Sequence, residues 1–165
     1  MCSSDLRQDV CFVGPPAGDG RWHWRSLPAW CDHGAAIYGV GATAEHGMKI
    51  APDGYGPTFD PTDGERVVGP ETIGTIRDYL QTRFPALAGQ PIAGTRVCQY
   101  ETTLDGHFLL ARHPGYENVW LAGGGSGHGF KHGPRIGELL AARLDGVPEG
   151  AWDGDDERRF RIGPR

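Results

Sequence analysis

Apolar and polar residues alternate over several short stretches of this chain, and this period of two predicts β-strands. Clusters of Gly and Pro separate the stretches, which favours strands joined by turns and therefore an antiparallel sheet. The predicted strands lie near Asp9–Val13, Ala35–Val40, His46–Ala51, Thr95–Glu101, His107–Ala111 and Asn118–Ala122.

Two longer stretches repeat apolar residues at helical spacing. The first is Pro70–Phe84, in which Ile76 and Leu80 share one face, and Pro85 is expected to end it. The second is Pro134–Leu144, where the proline suits a first helical turn. The pattern therefore predicts a mixed α+β protein.

Glycine is concentrated between the last predicted strand and the last predicted helix. Six of the eleven residues from 123 to 133 are glycine, and they surround the run SGHGFK, Ser126 to Lys131. A loop that leads into a helix N-terminus offers free N–H groups and a positive dipole end, which suit a phosphate, a carboxylate or an anionic ring. The loop is not a P-loop, because His132 rather than Ser or Thr follows the lysine. A tight structural turn remains the alternative.

Composition and charge then exclude several classes of protein. The 165 residues are 38% hydrophobic and 22% charged, as in a globular domain, and the net charge of -5 argues against nucleic-acid binding. No stretch reaches about 18 continuous apolar residues, and no signal peptide is recognisable. The four cysteines show neither a disulfide pattern nor Cys-x-x-Cys spacing, which favours a cytoplasmic protein.

Residue patterns alone assign little chemistry to individual side chains. Cys98 lies in a β-prone run, where cysteine is usually a small buried apolar residue. Lys49 alternates with apolar neighbours and would simply face solvent. His128 and His132 are four apart, but glycines interrupt any helix there and no further ligand stands at metal spacing, so we expect no metal site.

The segment CQYETTLDGHFLLARHPGYENVWLAGGGSGHGFKHGPRIGELLA, Cys98 to Ala141, resembles the C-terminal part of the D-amino-acid-oxidase-like flavoproteins, in the branch of monomeric sarcosine oxidases and N-methyl-amino-acid oxidases. The resemblance reaches back to Ile37–Ala51 and, more weakly, to Arg7–Val13. It implies half of an antiparallel-sheet substrate domain, residues 7–111, followed by the C-terminal strand, glycine loop and helix of a Rossmann-like FAD domain, residues 112–147.

The fingerprint G-x-G-x-x-G, which binds the ADP half of FAD in this family, does not occur near the start of the sequence. We therefore expect a fragment that lacks an N-terminal half, and an isolated chain that is inactive or depends on that half as a partner. Residues 1–6 are interpreted as a non-native leader and residues 148–165 as a charged tail. An ordinary disordered N-terminus is the alternative for the leader.

The resemblance also implies roles for individual residues. Cys98 would carry FAD through a thioether, and Lys131 would hold the substrate carboxylate. Lys49 would assist the reaction with oxygen, while His128 would lie over the flavin and act in the pocket. Tyr38 and Tyr100 would border the substrate. The remaining cofactor contacts would come from Gly124, Gly125, Gly127, Gly129 and Phe130, together with Lys131 itself.

The implied activity is the oxidation of an amine or amino acid next to a carboxylate, with FAD as the cofactor and oxygen as the acceptor that yields peroxide. A dehydrogenase or demethylase of the same fold is the alternative enzyme. The sarcosine-specific members carry a histidine where this chain has Asp53, and this difference argues against sarcosine itself as the substrate.

Overall fold

A computed structural model describes residues 4–147, and this part of the chain forms an α+β fold with antiparallel sheets. Its strands are β1 (Ser4–Val13), β2 (Trp30–Asp32), β3 (Ile37–Val40), β4 (Met48–Pro52), β5 (Ile92–Thr102), β6 (Leu109–Arg112) and β7 (Trp120–Gly123), and its helices are α1 (Pro70–Arg83), α2 (Pro85–Ala88) and α3 (Gly133–Leu144). Single 3-10 turns lie at Gly20–Trp22 and Phe130–His132. The α+β prediction is confirmed.

The described residues divide into two compact units. One contains Arg7–Gln99, and the other contains the described residues from Tyr100 onward together with residues 4–6. This structural division falls within β5, between Gln99 and Tyr100. The functional division of the chain into domains stays a prediction, and the predicted tail lies outside the described residues. The predicted leader overlaps β1, which begins at Ser4.

The first unit is built on a five-stranded sheet with the order β2-β3-β4-β1-β5. Strand β4 is antiparallel to both of its neighbours, with Cys11 opposite Ile50 and Gly39 opposite Ile50 on the other side. At residue 39 a Cβ atom would come within 2.4 Å of the Trp30 ring, so glycine is needed for this aromatic side chain to lie over the sheet.

One face of this sheet forms the hydrophobic core. Met48 and Ile50 of β4 are completely buried, as are Ile76 and Leu80 of α1. Each such side chain contributes about 1.5–3 kcal/mol when it leaves water. Helix α1 matches its predicted range to within one residue, with Pro70 in its first turn.

Two short elements of this unit were not predicted. Strand β2 has only three residues and no visible alternation, and its partner β3 supplies the hydrogen bonds that define it. Helix α2 starts at Pro85, the residue expected only to end the preceding helix, because a proline is also well suited to a first helical turn.

The second unit contains the hairpin β6–β7, the glycine loop and α3. Leu109 pairs with Gly123 and Arg112 with Trp120. Ala111 is the one hydrophobic residue that is buried among the described residues from 100 to 147, whereas Leu104, Phe130 and Leu144 are largely exposed. So small a core contributes little stability of its own. Within residues 4–147, no helix is long and apolar enough to cross a membrane.

Candidate functional site

Lys49 lies on the sheet face that is opposite to the core. Its neighbours Met48 and Ile50 are buried, so alternation places the lysine on the other face, where it is half-buried and pairs with Val40. Tyr38 shares this face, and the Lys49 Nζ atom lies 4.8 Å from the centre of its ring. This cation–π contact holds a positive charge over the phenol. The structure therefore brings two of the predicted site residues together.

Cys98 belongs to the same face. Its neighbour Val97 is 5% exposed and packs into the core, so the half-buried Cys98 alternates onto the side that carries Lys49 and Tyr38. Cys98 is a free thiol, and β1 lies between its strand and that of Lys49. The predicted position in a β-strand is confirmed, whereas the thioether to FAD stays a prediction.

The glycine loop between β7 and α3 has an unusual backbone. Gly124 and Gly127 have φ angles of 71° and 77°, and the non-glycine residue Ser126 between them has a φ of 47°. The left-handed region costs a serine about 1–2 kcal/mol, so other contacts must fix this conformation. The Ser126 hydroxyl donates to the Gly124 carbonyl oxygen at 3.1 Å, and its side chain is buried.

The end of strand β5 packs directly under this loop. A Cβ atom at residue 127 would lie 2.4 Å from the Tyr100 ring, and one at residue 124 would lie 2.5 Å from the Thr103 methyl group. The sequence analysis left a ligand-binding loop and a tight structural turn as alternatives for this segment. At Gly124 and Gly127, side chains of the protein itself fill the space that the missing Cβ atoms leave.

Glu101 is a residue of this site that the sequence analysis missed. Its carboxylate Oε2 accepts a hydrogen bond from the Gly124 N–H at 3.0 Å, and its backbone carbonyl accepts one from the Ser126 N–H at 2.8 Å. Its place directly after Cys-x-Tyr was visible in the sequence, but no periodicity or spacing rule connects it with a loop more than twenty residues later.

His128 is held in one tautomer by the loop. Its Nδ1 atom lies 2.9 Å from the carbonyl oxygen of Ser126, which can only accept, so Nδ1 carries the proton and Nε2 of the neutral ring remains an acceptor. The Phe108 ring lies 5.5 Å from the rings of both His128 and His132. Among residues 4–147, no cluster of three or more His, Cys, Asp or Glu side chains is arranged to hold a metal.

The second half of the loop leads into the last helix. A Cβ atom at Gly129 would lie 3.1 Å from the Cα atom of Gly125, so these glycines allow the loop to fold back on itself. Phe130 is fully exposed. Lys131 is also exposed, and it forms no ion pair with any residue from 4 to 147. The predicted strand, glycine loop and helix are confirmed in this order.

Comparison with solved structures supports the fold. The chain resembles fructosyl peptide oxidase from E. terrenum with a TM-score of 0.78 and 18% identity, over 98% of this chain and 40% of that one. It also resembles fructosyl amine:oxygen oxidoreductase (Amadoriase I) from Aspergillus fumigatus, with a TM-score of 0.75 and 24% identity over 96% of this chain and 37% of that one.

Comparison of the amino-acid sequence with those of known proteins also finds oxidases. The chain is 41% identical over 106 residues to a monomeric sarcosine oxidase of Arthrobacter sp., and 38% identical over 77 residues to L-saccharopine oxidase of Schizosaccharomyces pombe. These matches cover 63% and 47% of this chain but only 27% and 18% of the relatives. The chain thus spans a minor part of the length of these proteins. Residues 9–143 match the family described as DAO, FAD dependent oxidoreductase, and this chain therefore belongs to that family of flavoproteins.

Proposed function

We propose that this chain forms the C-terminal part of an FAD-dependent amine or amino-acid oxidase. Its substrate would be an amine next to a carboxylate, oxidised at the C–N bond, with oxygen as the acceptor that yields peroxide. The observation that carries this proposal is the glycine loop, which is fixed on the end of β5 and followed by an exposed lysine without an ion-pair partner among the described residues.

The chemistry of the loop fits FAD. Within residues 4–147, the N–H groups of Gly125 and Gly127 have no protein acceptor, so they remain available to an oxygen or nitrogen atom of a bound ring. Phe130 offers an exposed aromatic surface beside them. FAD supplies the two-electron redox chemistry when it is bound, and the protein supplies position and charge.

Lys131 is suited to hold the substrate carboxylate. Its ammonium group is exposed and forms no ion pair with a carboxylate of residues 4–147, so none of those carboxylates would compete with an incoming substrate carboxylate. Tyr100 packs against Gly127 and would form a wall of the same pocket. In the neutral form of its ring, His128 would present Nε2 as the acceptor for a proton from the ammonium form of the substrate.

The face of the five-stranded sheet that carries Lys49 and Tyr38 would serve the reaction with oxygen. Lys49, which lies over the Tyr38 ring, would provide a positive charge at a defined position, and such a charge stabilises negative charge that develops on oxygen. Cys98 on this face would be the covalent attachment point for FAD.

The names of the relatives support the amine class of substrate. They include sarcosine oxidases and L-saccharopine oxidase, and the similar structures are those of a fructosyl amine:oxygen oxidoreductase and a fructosyl peptide oxidase. The resemblance implies a histidine at this position in the sarcosine-specific members, whereas this chain has Asp53, and on that ground we propose an amine or amino acid other than sarcosine.

The test uses the longest open reading frame that contains this sequence, compared with the 165-residue chain alone. The longer protein should be yellow and should consume oxygen and release peroxide with at least one substrate from a panel of N-methyl and primary amino acids. Turnover only with an artificial electron acceptor would identify a dehydrogenase. We expect the 165-residue chain to be colourless and inactive, and activity of this chain alone would refute its proposed dependence on an N-terminal half.

A further inference from the structure

We propose that Glu101 is a positioning residue, whose side chain fixes the glycine loop in the conformation that binds the cofactor. The cofactor part of this inference rests on the function proposed above, whereas the effect on the loop does not. Glu101 lies in β5, and the loop that it contacts begins directly after β7, so the residue links two segments that are distant in sequence.

Glu101 contacts the loop at two points. Its Oε2 atom accepts from the Gly124 N–H at 3.0 Å, and its main-chain carbonyl accepts from the Ser126 N–H at 2.8 Å. Gly124 is buried, so the loss of the acceptor for its N–H group would carry a high free-energy cost. A carboxylate acceptor also makes a stronger bond than a neutral one. The Glu101 side chain therefore satisfies the Gly124 N–H group, which the main-chain bond to Ser126 cannot do.

The surroundings of the carboxylate are shaped to admit it. A Cβ atom at Gly123 would lie 2.9 Å from Oε1 of Glu101, so any larger residue there would push the carboxylate away. The Gly124 carbonyl is bound in turn by the Ser126 hydroxyl. The main-chain N–H of Gly124 and its carbonyl oxygen are thus both held, one by Glu101 and the other within the loop.

This contact explains how the left-handed residues are maintained. Ser126 adopts a positive φ that a serine avoids in isolation, and it lies between Gly124 and Gly127, which share that conformation. Release of Gly124 would allow the segment to leave this conformation. The N–H groups of Gly125 and Gly127, which meet no acceptor among residues 4–147, would then no longer have a fixed direction, and these are the groups proposed to meet the cofactor.

Two substitutions separate the role of the acceptor from that of the charge. Glu101→Ala removes the acceptor and leaves the buried Gly124 N–H without a partner. Glu101→Gln retains a carbonyl oxygen in a side chain of the same length, so it should restore most of the loop order. Glu117→Ala is the matched control, because it removes one carboxylate from an exposed turn of the same unit.

The first measurement is hydrogen exchange of the 165-residue chain, followed by mass spectrometry of peptides that cover residues 123–129. We expect exchange in this segment to rise roughly tenfold in Glu101→Ala, to return to within about threefold of the wild type in Glu101→Gln, and to be unchanged in Glu117→Ala. Exchange in α1 should be the same in all four proteins. Unchanged loop exchange in Glu101→Ala, or an equal rise throughout the chain, would overturn the inference.

The second measurement is the flavin content of the longer protein after gel filtration, with the same three substitutions. Retention should fall in Glu101→Ala and recover in Glu101→Gln. Faster loop exchange without any loss of flavin would refute the role toward the cofactor and leave the proposed function intact. If the wild-type longer protein binds no FAD, the proposed function fails, and the exchange experiment alone decides whether Glu101 fixes the loop.

Discussion

The Nζ atom of Lys49 lies 4.8 Å from the centre of the Tyr38 ring, on the face of the five-stranded sheet that does not contact the core. The two residues are not directly paired, since Lys49 is opposite Val40 and Tyr38 is opposite Ala51. A diagonal contact of this kind is within reach of a long side chain. It gives the lysine a defined position that strand alternation alone would not provide.

Lys49→Met should slow the reaction of the reduced enzyme with oxygen and leave anaerobic reduction by substrate largely unchanged. The physical reason is that the positive charge matters only when negative charge develops on oxygen. Stopped-flow measurement of the two half-reactions separates these effects, with Lys49→Arg as the variant that keeps the charge. Equal slowing of both half-reactions by Lys49→Met would contradict the oxygen role, and an unchanged rate with oxygen would leave Lys49 as an ordinary strand residue.

Gly127→Ala should destabilise the second unit by about 2–4 kcal/mol, from the left-handed backbone and from the clash with the Tyr100 ring. Urea unfolding of the longer protein, followed by circular dichroism, measures the free energy of unfolding. The matched control is Gly137→Ala in α3, where the new methyl group meets no atom within 4 Å and should stabilise the helix by about 0.5–1 kcal/mol. Equal stability of the two variants would show that the packing of β5 under the loop is not tight.

Cys98→Ser in the longer protein should allow FAD to separate from the polypeptide when the protein is denatured. The wild type should keep its yellow colour through acid precipitation, because a thioether survives unfolding. Cys31→Ser is the control, since this cysteine is also a free thiol but has an exposed side chain bound to Asp53. Release of FAD from the denatured wild type would show that the flavin is not covalently attached.

Lys131→Met should raise the apparent KM for an amino-acid substrate by roughly 10- to 150-fold, which corresponds to the loss of a charge-assisted contact of about 1.5–3 kcal/mol. Lys131→Arg should raise it less, because the positive charge remains. Steady-state kinetics with the amino acid and with its decarboxylated amine provide the measurement. An equal KM change for both substrates would argue that the lysine does not contact the carboxylate.

The sequence predicted the elements that have a clear period. Helix α1 repeats apolar residues such as Ile76 and Leu80, and the strand that contains Lys49 alternates, so both were found close to their observed bounds. The strand, glycine loop and helix around Ser126 were also predicted in the correct order. Strand β2 was missed because its three residues become a strand only through their pairing with β3.

The contacts within the candidate site were not accessible from the sequence. The alternation of residues around Lys49 correctly placed its side chain on the sheet face opposite to the core. It could not show that the Tyr38 ring lies beside the lysine. Likewise, the density of glycines could not show that the Tyr100 ring lies against Gly127. Both contacts depend on how distant strands and loops pack, and local residue patterns carry no information on that packing.

The most direct test of the account is an anaerobic titration of the longer protein with members of the amino-acid panel, followed by admission of air. We predict that at least one substrate bleaches the flavin absorbance without oxygen, and that air restores the colour with the formation of one peroxide per flavin. If no member of the panel changes the flavin absorbance, this result would contradict the proposal that this chain is part of an amine or amino-acid oxidase.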